Sequence, residues 1–66
     1  MEENAVIEKT CRCVNGVFID GFEYKAGHEY QVDIYPLWNC VYNDGDWKNY
    51  VFFILDDFKK YFEVIE

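Results

Sequence analysis

Serine is missing from these 66 residues altogether. The commonest hydroxyl nucleophile is therefore gone, and no glycine-flanked nucleophile elbow can be built. Histidine occurs once, as His28, so a nucleophile–base pair would need it beside a cysteine or Thr10, and no spacing arranges that. The chain reads as non-catalytic. Proline also occurs once, as Pro36, which leaves no proline-rich linker; with no repeat and no low-complexity stretch, residues 1–66 form one domain. Basic residues are few: six against thirteen acidic ones, a formal charge of −7. Such a field repels phosphate backbones, which argues against direct nucleic-acid binding, and it favours encounter with a basic surface on another protein. Long apolar runs are absent as well. The longest, Tyr50 to Leu55, is far too short to span a bilayer. Met1-Glu2-Glu3-Asn4 is no signal segment, so no membrane and a cytoplasmic location are expected.

Metal chemistry lacks its usual spacing. Cys11, Cys13, Cys40 and His28 are four donor side chains, but zinc ribbons and knuckles use Cys-x₂-Cys pairs and none is present. On a strand, Cys11 and Cys13 point to the same side. The simpler reading is three buried, reduced thiols in a reducing compartment. Asn43-Asp44-Gly45-Asp46 packs carboxylates beside a glycine, yet the twelve-residue calcium-loop spacing is missing and a turn accounts for all four residues. Asp33, Asp44 and Asp46 could be imagined as paired carboxylates for glycoside chemistry, but so small a chain has little room for a substrate cleft. No metal and no cofactor is expected.

What the chain does have is aromatic residues: six Phe, six Tyr and two Trp. A domain of this size buries only about 60% of the surface its unfolded chain exposes. Side chains that each bury roughly 150–250 Å² answer that need without a disulfide or metal. The strongest local signal is Trp38 to Leu55, two strand-like runs meeting at Asp44-Gly45, the residue pair a type I′ turn prefers. A two-residue turn there sets Tyr42 opposite Trp47, Cys40 opposite Asn49 and Trp38 opposite Val51. Trp38, Cys40, Tyr42, Trp47 and Val51 would then face the core, with Asn39, Val41, Asn43, Asp46, Lys48 and Tyr50 outside. The continuously apolar Val51-Phe52-Phe53-Ile54 predicts burial on both faces or a sharp bend.

Elsewhere, Ala5 to Val14 leans toward strand and ends at Asn15-Gly16, a second turn candidate. A two-residue turn there pairs Val14 with Val17 but also Arg12 with Ile19, so either the turn is longer or both faces are partly covered. Asp20-Gly21 breaks the run and opens a loop through Gly27. His28 to Tyr35 alternates with period two, placing Tyr30, Val32 and Ile34 inward and Glu29, Gln31 and Asp33 outward. Pro36 ends that strand. Leu55, Phe58 and Phe62 share a helical face over one or two turns, with Asp56 or Asp57 capping the start and Lys59-Lys60 near the end. Glu63 to Glu66 forms a last short strand. Strands this short bury their apolar faces best by curling into a small barrel.

The segment Lys25-Ala26-Gly27-His28-Glu29-Tyr30-Gln31-Val32 resembles the "t-x-G-k-x-Y-x-V" segment of small SH3-like barrel proteins of phages and bacteria. Asn43-Asp44-Gly45 looks like that family's hairpin turn, Asp57-Phe58-Lys59-Lys60 like its short helix, and Phe62-Glu63-Val64-Ile65 like its terminal strand. The likeness runs from about Ala5 to Ile65. His28 stands where the family often has a basic residue, and Pro36-Leu37-Trp38 is an unusual aromatic-rich approach to the hairpin. The resemblance implies a mostly β fold, a small SH3-like β-barrel of about five antiparallel strands with one short helix near the C-terminus. It implies fold far more than function.

Two kinds of binding surface are candidates. Asp20, Glu23, Glu29, Asp33, Asp44, Asp46, Asp56 and Asp57 recur at loops and outward positions. Together they could imitate a phosphate array and occupy the basic nucleic-acid site of a host protein. In size and charge the chain looks like small acidic phage proteins that inhibit restriction or CRISPR effectors. Alternatively, exposed Tyr35, Trp38 and Tyr50 would form the aromatic platform of a peptide-binding or assembly module, or of a phage accessory protein.

Overall fold

The computed structural model describes residues 6–43 and 46–65, for Asp46 and Trp47 the backbone only. The chain runs β1 (Ile7–Cys13), β2 (Val17–Ile19), β3 (Phe22–Tyr24), β4 (Glu29–Ile34), β5 (Trp38–Asn43), β6 (Asp46–Ile54), α1 (Leu55–Tyr61) and β7 (Phe62–Val64). It is mostly β with one short helix. Five strands form an antiparallel sheet in the order β6-β5-β4-β1-β7, and β2 and β3 form a separate ribbon. No helix among the described residues is long and apolar enough to cross a membrane.

The expected closed barrel is not what forms. The sheet order begins at β6 and ends at β7, and no ladder joins these two strands. A three-residue β7 has too few backbone groups to close a barrel, and α1 stands between it and β6 in the chain. The inner face of the sheet is covered instead by the β2–β3 ribbon and by α1. Tyr24, fully buried, sends its hydroxyl across to the Val41 carbonyl at 2.8 Å. Its ring meets Tyr30, Phe62 and Phe53 edge-on at centroid distances of 5.0, 5.4 and 5.9 Å. Asn43 adds a second tie between ribbon and sheet, donating through Nδ2 to the Glu23 carbonyl at 2.9 Å.

The β4 reading agrees with the structure. Tyr30 and Val32 are buried, Ile34 packs against the core, and the strand ends two residues before Pro36. Cys11 and Cys13 join the same core from β1. Burial, with Cys13 adding to it, pushes the Cys11 thiol up to about 12, and burial likewise raises Cys13.

Three local expectations are corrected. Asn15-Gly16 does not fold β2 back onto β1; β1 pairs with β4 and β7, while β2 pairs with β3 around Asp20-Gly21. Both residues there have positive φ, 52° and 84°, as a type I′ turn demands. A second Asp-Gly pair thus makes a hairpin where a loop was expected. At α1, Ile54 occupies the N-cap without a side-chain hydrogen bond, and Asp56 and Asp57 lie inside the first turn. They act on the helix dipole rather than as caps. Phe58 is the residue of α1 that is buried, and Phe62, also buried, begins β7 instead of ending the helix.

The third correction concerns the hairpin. Asp44-Gly45 lies outside the described residues, and Asn43 pairs with Asp46 as a two-residue turn requires. The register then shifts between Tyr42 and Asn43, so that Tyr42 faces Tyr50, Val41 faces Val51, Cys40 faces Phe52 and Trp38 faces Ile54. An odd slip exchanges the two faces of β5 relative to expectation. Asn39, Val41 and Asn43 point into the buried side with Val51 and Phe53. Trp38 and Tyr42 lie on the outer side.

Candidate interaction surface

Alternation along β6 places Val51 and Phe53 in the core, so Phe52 and Ile54 must face away from it. The apolar run is therefore neither buried on both sides nor sharply bent. Its second face is exposed. On β5 the same outward side carries Trp38, Cys40 and Tyr42, and on β6 it carries Tyr50, Phe52 and Ile54. Here the rings touch in sequence. Tyr35 lies 6.0 Å from Trp38, Trp38 6.2 Å from Phe52, Phe52 5.4 Å from Tyr50, and Tyr50 5.8 Å from Tyr42, centroid to centroid. Most of these contacts are edge-on, the arrangement the ring quadrupole favours.

Pro36 sets one end of this ladder. The Tyr35 N–H donates to the Trp38 carbonyl at 3.0 Å, which closes the tight link between β4 and β5 and turns Leu37 out to solvent. Tyr35, Pro36, Leu37 and Trp38 line a shallow, mostly apolar pocket of about 430 Å³.

Beneath the ladder lies a small polar cluster. Asp33 pairs across the strands with Cys40. The Tyr42 hydroxyl donates to Asp33 Oδ2 at 2.6 Å. That hydrogen bond, with burial adding to it, holds the Tyr42 phenol protonated well above its ordinary range. Burial also raises the Cys40 thiol. Asp33 is 9% exposed, so the expectation that it offers a surface carboxylate to a partner is corrected. It lies on the outer side of the sheet but is covered there, with Oδ2 accepting from Tyr42.

The other acidic candidates are dispersed. Asp20 sits at the tip of the β2–β3 ribbon, Glu23 on β3, Asp56 and Asp57 in the first turn of α1. Glu29 is exposed on β4 but ion-paired with Arg12 at 3.5 Å, and Arg12 also reaches Glu63 at 3.5 Å. Asp57 pairs with Lys60 at 3.4 Å. Asp44 and the Asp46 side chain lie outside the described residues. The four metal-donor candidates also separate: Cys11 and Cys13 are on the inner face, Cys40 on the outer, and His28 is exposed before β4.

Of the aromatic candidates, Tyr35, Trp38 and Tyr50 come together on one surface. Phe52, Ile54 and Leu37 join them and were not anticipated. The signal was present in Tyr50-x-Phe52-x-Ile54, a period-two apolar set that a strand must present on a single side. No family model, no curated protein and no solved structure matches the chain.

Proposed function

We propose that this protein is a non-catalytic protein-binding module of SH3-like architecture that engages its partner through the aromatic outer face of β5 and β6. The observation that carries this reading is the contiguous ladder Tyr35–Trp38–Phe52–Tyr50–Tyr42, much of it open to solvent. A domain short of core material buries little by leaving these aromatics in water, and their edge-on contacts recover only part of what full burial would contribute. Rigid rings presented on paired strands suit the anchor positions of an interface. The architecture is supported by the succession of glycine loop, G-x-x-Y strand, hairpin, short helix and terminal strand.

A second reading rests on the formal charge of −7. In it the chain is a small acidic inhibitor from a phage or mobile element, acting in the host cytoplasm. It would cover the basic nucleic-acid-binding surface of a host protein such as a restriction or CRISPR effector. Its working residues would be the exposed acids Asp20, Glu23 and Asp56, with the half-buried Asp57 beside Lys60.

The two separate cleanly. The immobilised protein is used to capture partners from host lysate at low and high salt, beside Phe52→Asp and an Asp20→Lys/Glu23→Lys variant. Aromatic anchoring predicts capture that survives salt and is lost in Phe52→Asp. Charge mimicry predicts capture that salt abolishes and that only the lysine variant loses. Capture unaffected by Phe52→Asp overturns the aromatic reading.

A further inference from the structure

We propose that the partner at the aromatic face is a second copy of this chain, the two faces packing against each other across a two-fold axis. This rests on the aromatic reading above and names the occupant.

Area is the first argument. Leu37, Trp38, Tyr50, Phe52 and Ile54 are 70, 41, 43, 56 and 60% exposed. At roughly 200 Å² for a large side chain, they leave on the order of 500 Å² of apolar surface in water. A standard interface buries about 800 Å² per partner, and in homodimers about 65% of it is apolar, which again comes to about 500 Å². The patch therefore matches the apolar share of one half of a stable dimer. It also lies at the upper end of what single soluble chains expose.

Charge selects the occupant. Between Trp38 and Tyr42 on β5, and between Tyr50 and Ile54 on β6, no outward position bears a charge. The outward positions of β1 and β4 are different, with Glu8, Arg12 and Glu29 among them. A basic partner finds no carboxylate on the aromatic half, because Asp33 is buried under its bond from Tyr42. A second copy, despite carrying −7 of its own, can meet this half without setting carboxylate against carboxylate. The surface is also geometrically suited to meeting itself. Two sheet faces stack about 10 Å apart with strands roughly aligned, and interdigitating side chains fill the gap. A patch built from one hairpin contacts its own copy isologously, so Phe52 near its middle meets the partner's patch near the axis.

The test is sedimentation velocity on the full chain from low micromolar to near-millimolar concentration, at low and high salt. The expected result is a species of twice 8.0 kDa that high salt leaves intact or strengthens, since screening relieves repulsion between the acidic remainders. Phe52→Asp, at an exposed position, should sediment as a monomer with an unchanged circular dichroism spectrum. Phe18→Asp places the same charge on an exposed aromatic outside the patch, 72% exposed on the β2–β3 ribbon, and should still dimerise. A wild-type monomer throughout, a dimer that survives in Phe52→Asp, or a dimer lost in Phe18→Asp each overturns the pairing. If the wild type is monomeric while Phe52→Asp still loses its captured partner, the self-pairing fails and the binding face stands. If neither mass nor capture responds to Phe52→Asp, both fail.

Discussion

Replacing Tyr24 with Phe removes one oxygen atom from the centre of this domain. The ring stays among Tyr30, Phe53 and Phe62, so no large cavity opens and the aromatic contacts survive. What is lost is the 2.8 Å hydrogen bond to the Val41 carbonyl, made in full burial between the β2–β3 ribbon and β5. Losing such a bond and leaving its acceptor short of a donor costs about 1–2 kcal/mol. For 66 residues the whole stability is expected to be only about 3–10 kcal/mol. With a urea dependence of about 1 kcal/mol per molar for so small a chain, the unfolding midpoint should fall by about 1–2 M. A second signature follows from the proton. Burial raises the Tyr24 phenol above its ordinary 10.0, so above pH 10 the unfolded chain ionises there while the folded one does not. Wild-type stability therefore contains a contribution that is complete below pH 10 and declines as pH rises. Tyr24→Phe lacks it, and the gap between the two proteins should narrow in alkali. Urea titrations of both proteins, followed by aromatic circular dichroism at neutral and alkaline pH, measure both effects. A loss below about 0.3 kcal/mol, or a gap that widens above pH 10, would refute the view that this hydroxyl ties ribbon to sheet.

The Cys11 thiol, pushed from 9.0 to about 12, is protonated in the fold through the range where the unfolded chain ionises. Stability should fall from pH 9 toward 12 by on the order of 1 kcal/mol per pH unit, and urea titrations of Cys11→Val should show a flatter profile. Gly27 has φ +90° with open space around its Cα, so Gly27→Ala should cost about 1 kcal/mol through backbone strain alone, read as a lower melting temperature. Arg12→Ala removes two exposed ion pairs at 3.5 Å; the melting temperature should barely move, because such pairs contribute less than about 1 kcal/mol.

Much of this architecture is legible in the sequence. Period two in Glu29 to Ile34 identified β4 and its buried side, because alternation is a purely local consequence of strand geometry. The order of elements after Pro36 was equally readable. Faces were harder. Asn43 and Asp46 pair as the turn residues predict, but the bulge beyond them inserts an odd number of residues, and period two converts that into an exchange of sides. Buried Asn39 and Asn43 with exposed Trp38 violate hydropathy, and only tertiary contacts settle such a choice. Asn43 is buried because the β3 backbone gives its amide an acceptor. The second Asp-Gly pair reads as a loop in the sequence because Val17 to Ile19 resembles a return of β1. Its pairing with β3 depends on which strand β1 prefers, which no local pattern encodes. The aromatic surface was half legible: Tyr35, Trp38 and Tyr50 were recognisable as surplus, but Phe52 was hidden beside Phe53 until the register separated them.

The position of β1 has a consequence for how the protein is made. This strand lies between β4 and β7 in the sheet, so the first described strand needs the last described one on one of its edges. Asn15, just beyond β1, likewise donates its side-chain amide to the Lys60 carbonyl at 2.7 Å, and the N–H groups of Val14 and Asn15 both reach the Tyr61 carbonyl. During synthesis these groups have no native partner until the helix and β7 emerge. Folding is then late, and it waits on contacts between distant parts of the chain, the kind that close slowly. The uncharged Tyr50-to-Leu55 segment is exposed meanwhile, as an unprotected strand of the sort that associates with its neighbours. Refolding from urea should therefore lose more chain to aggregation as protein concentration rises, while the same chain held folded at that concentration should not aggregate.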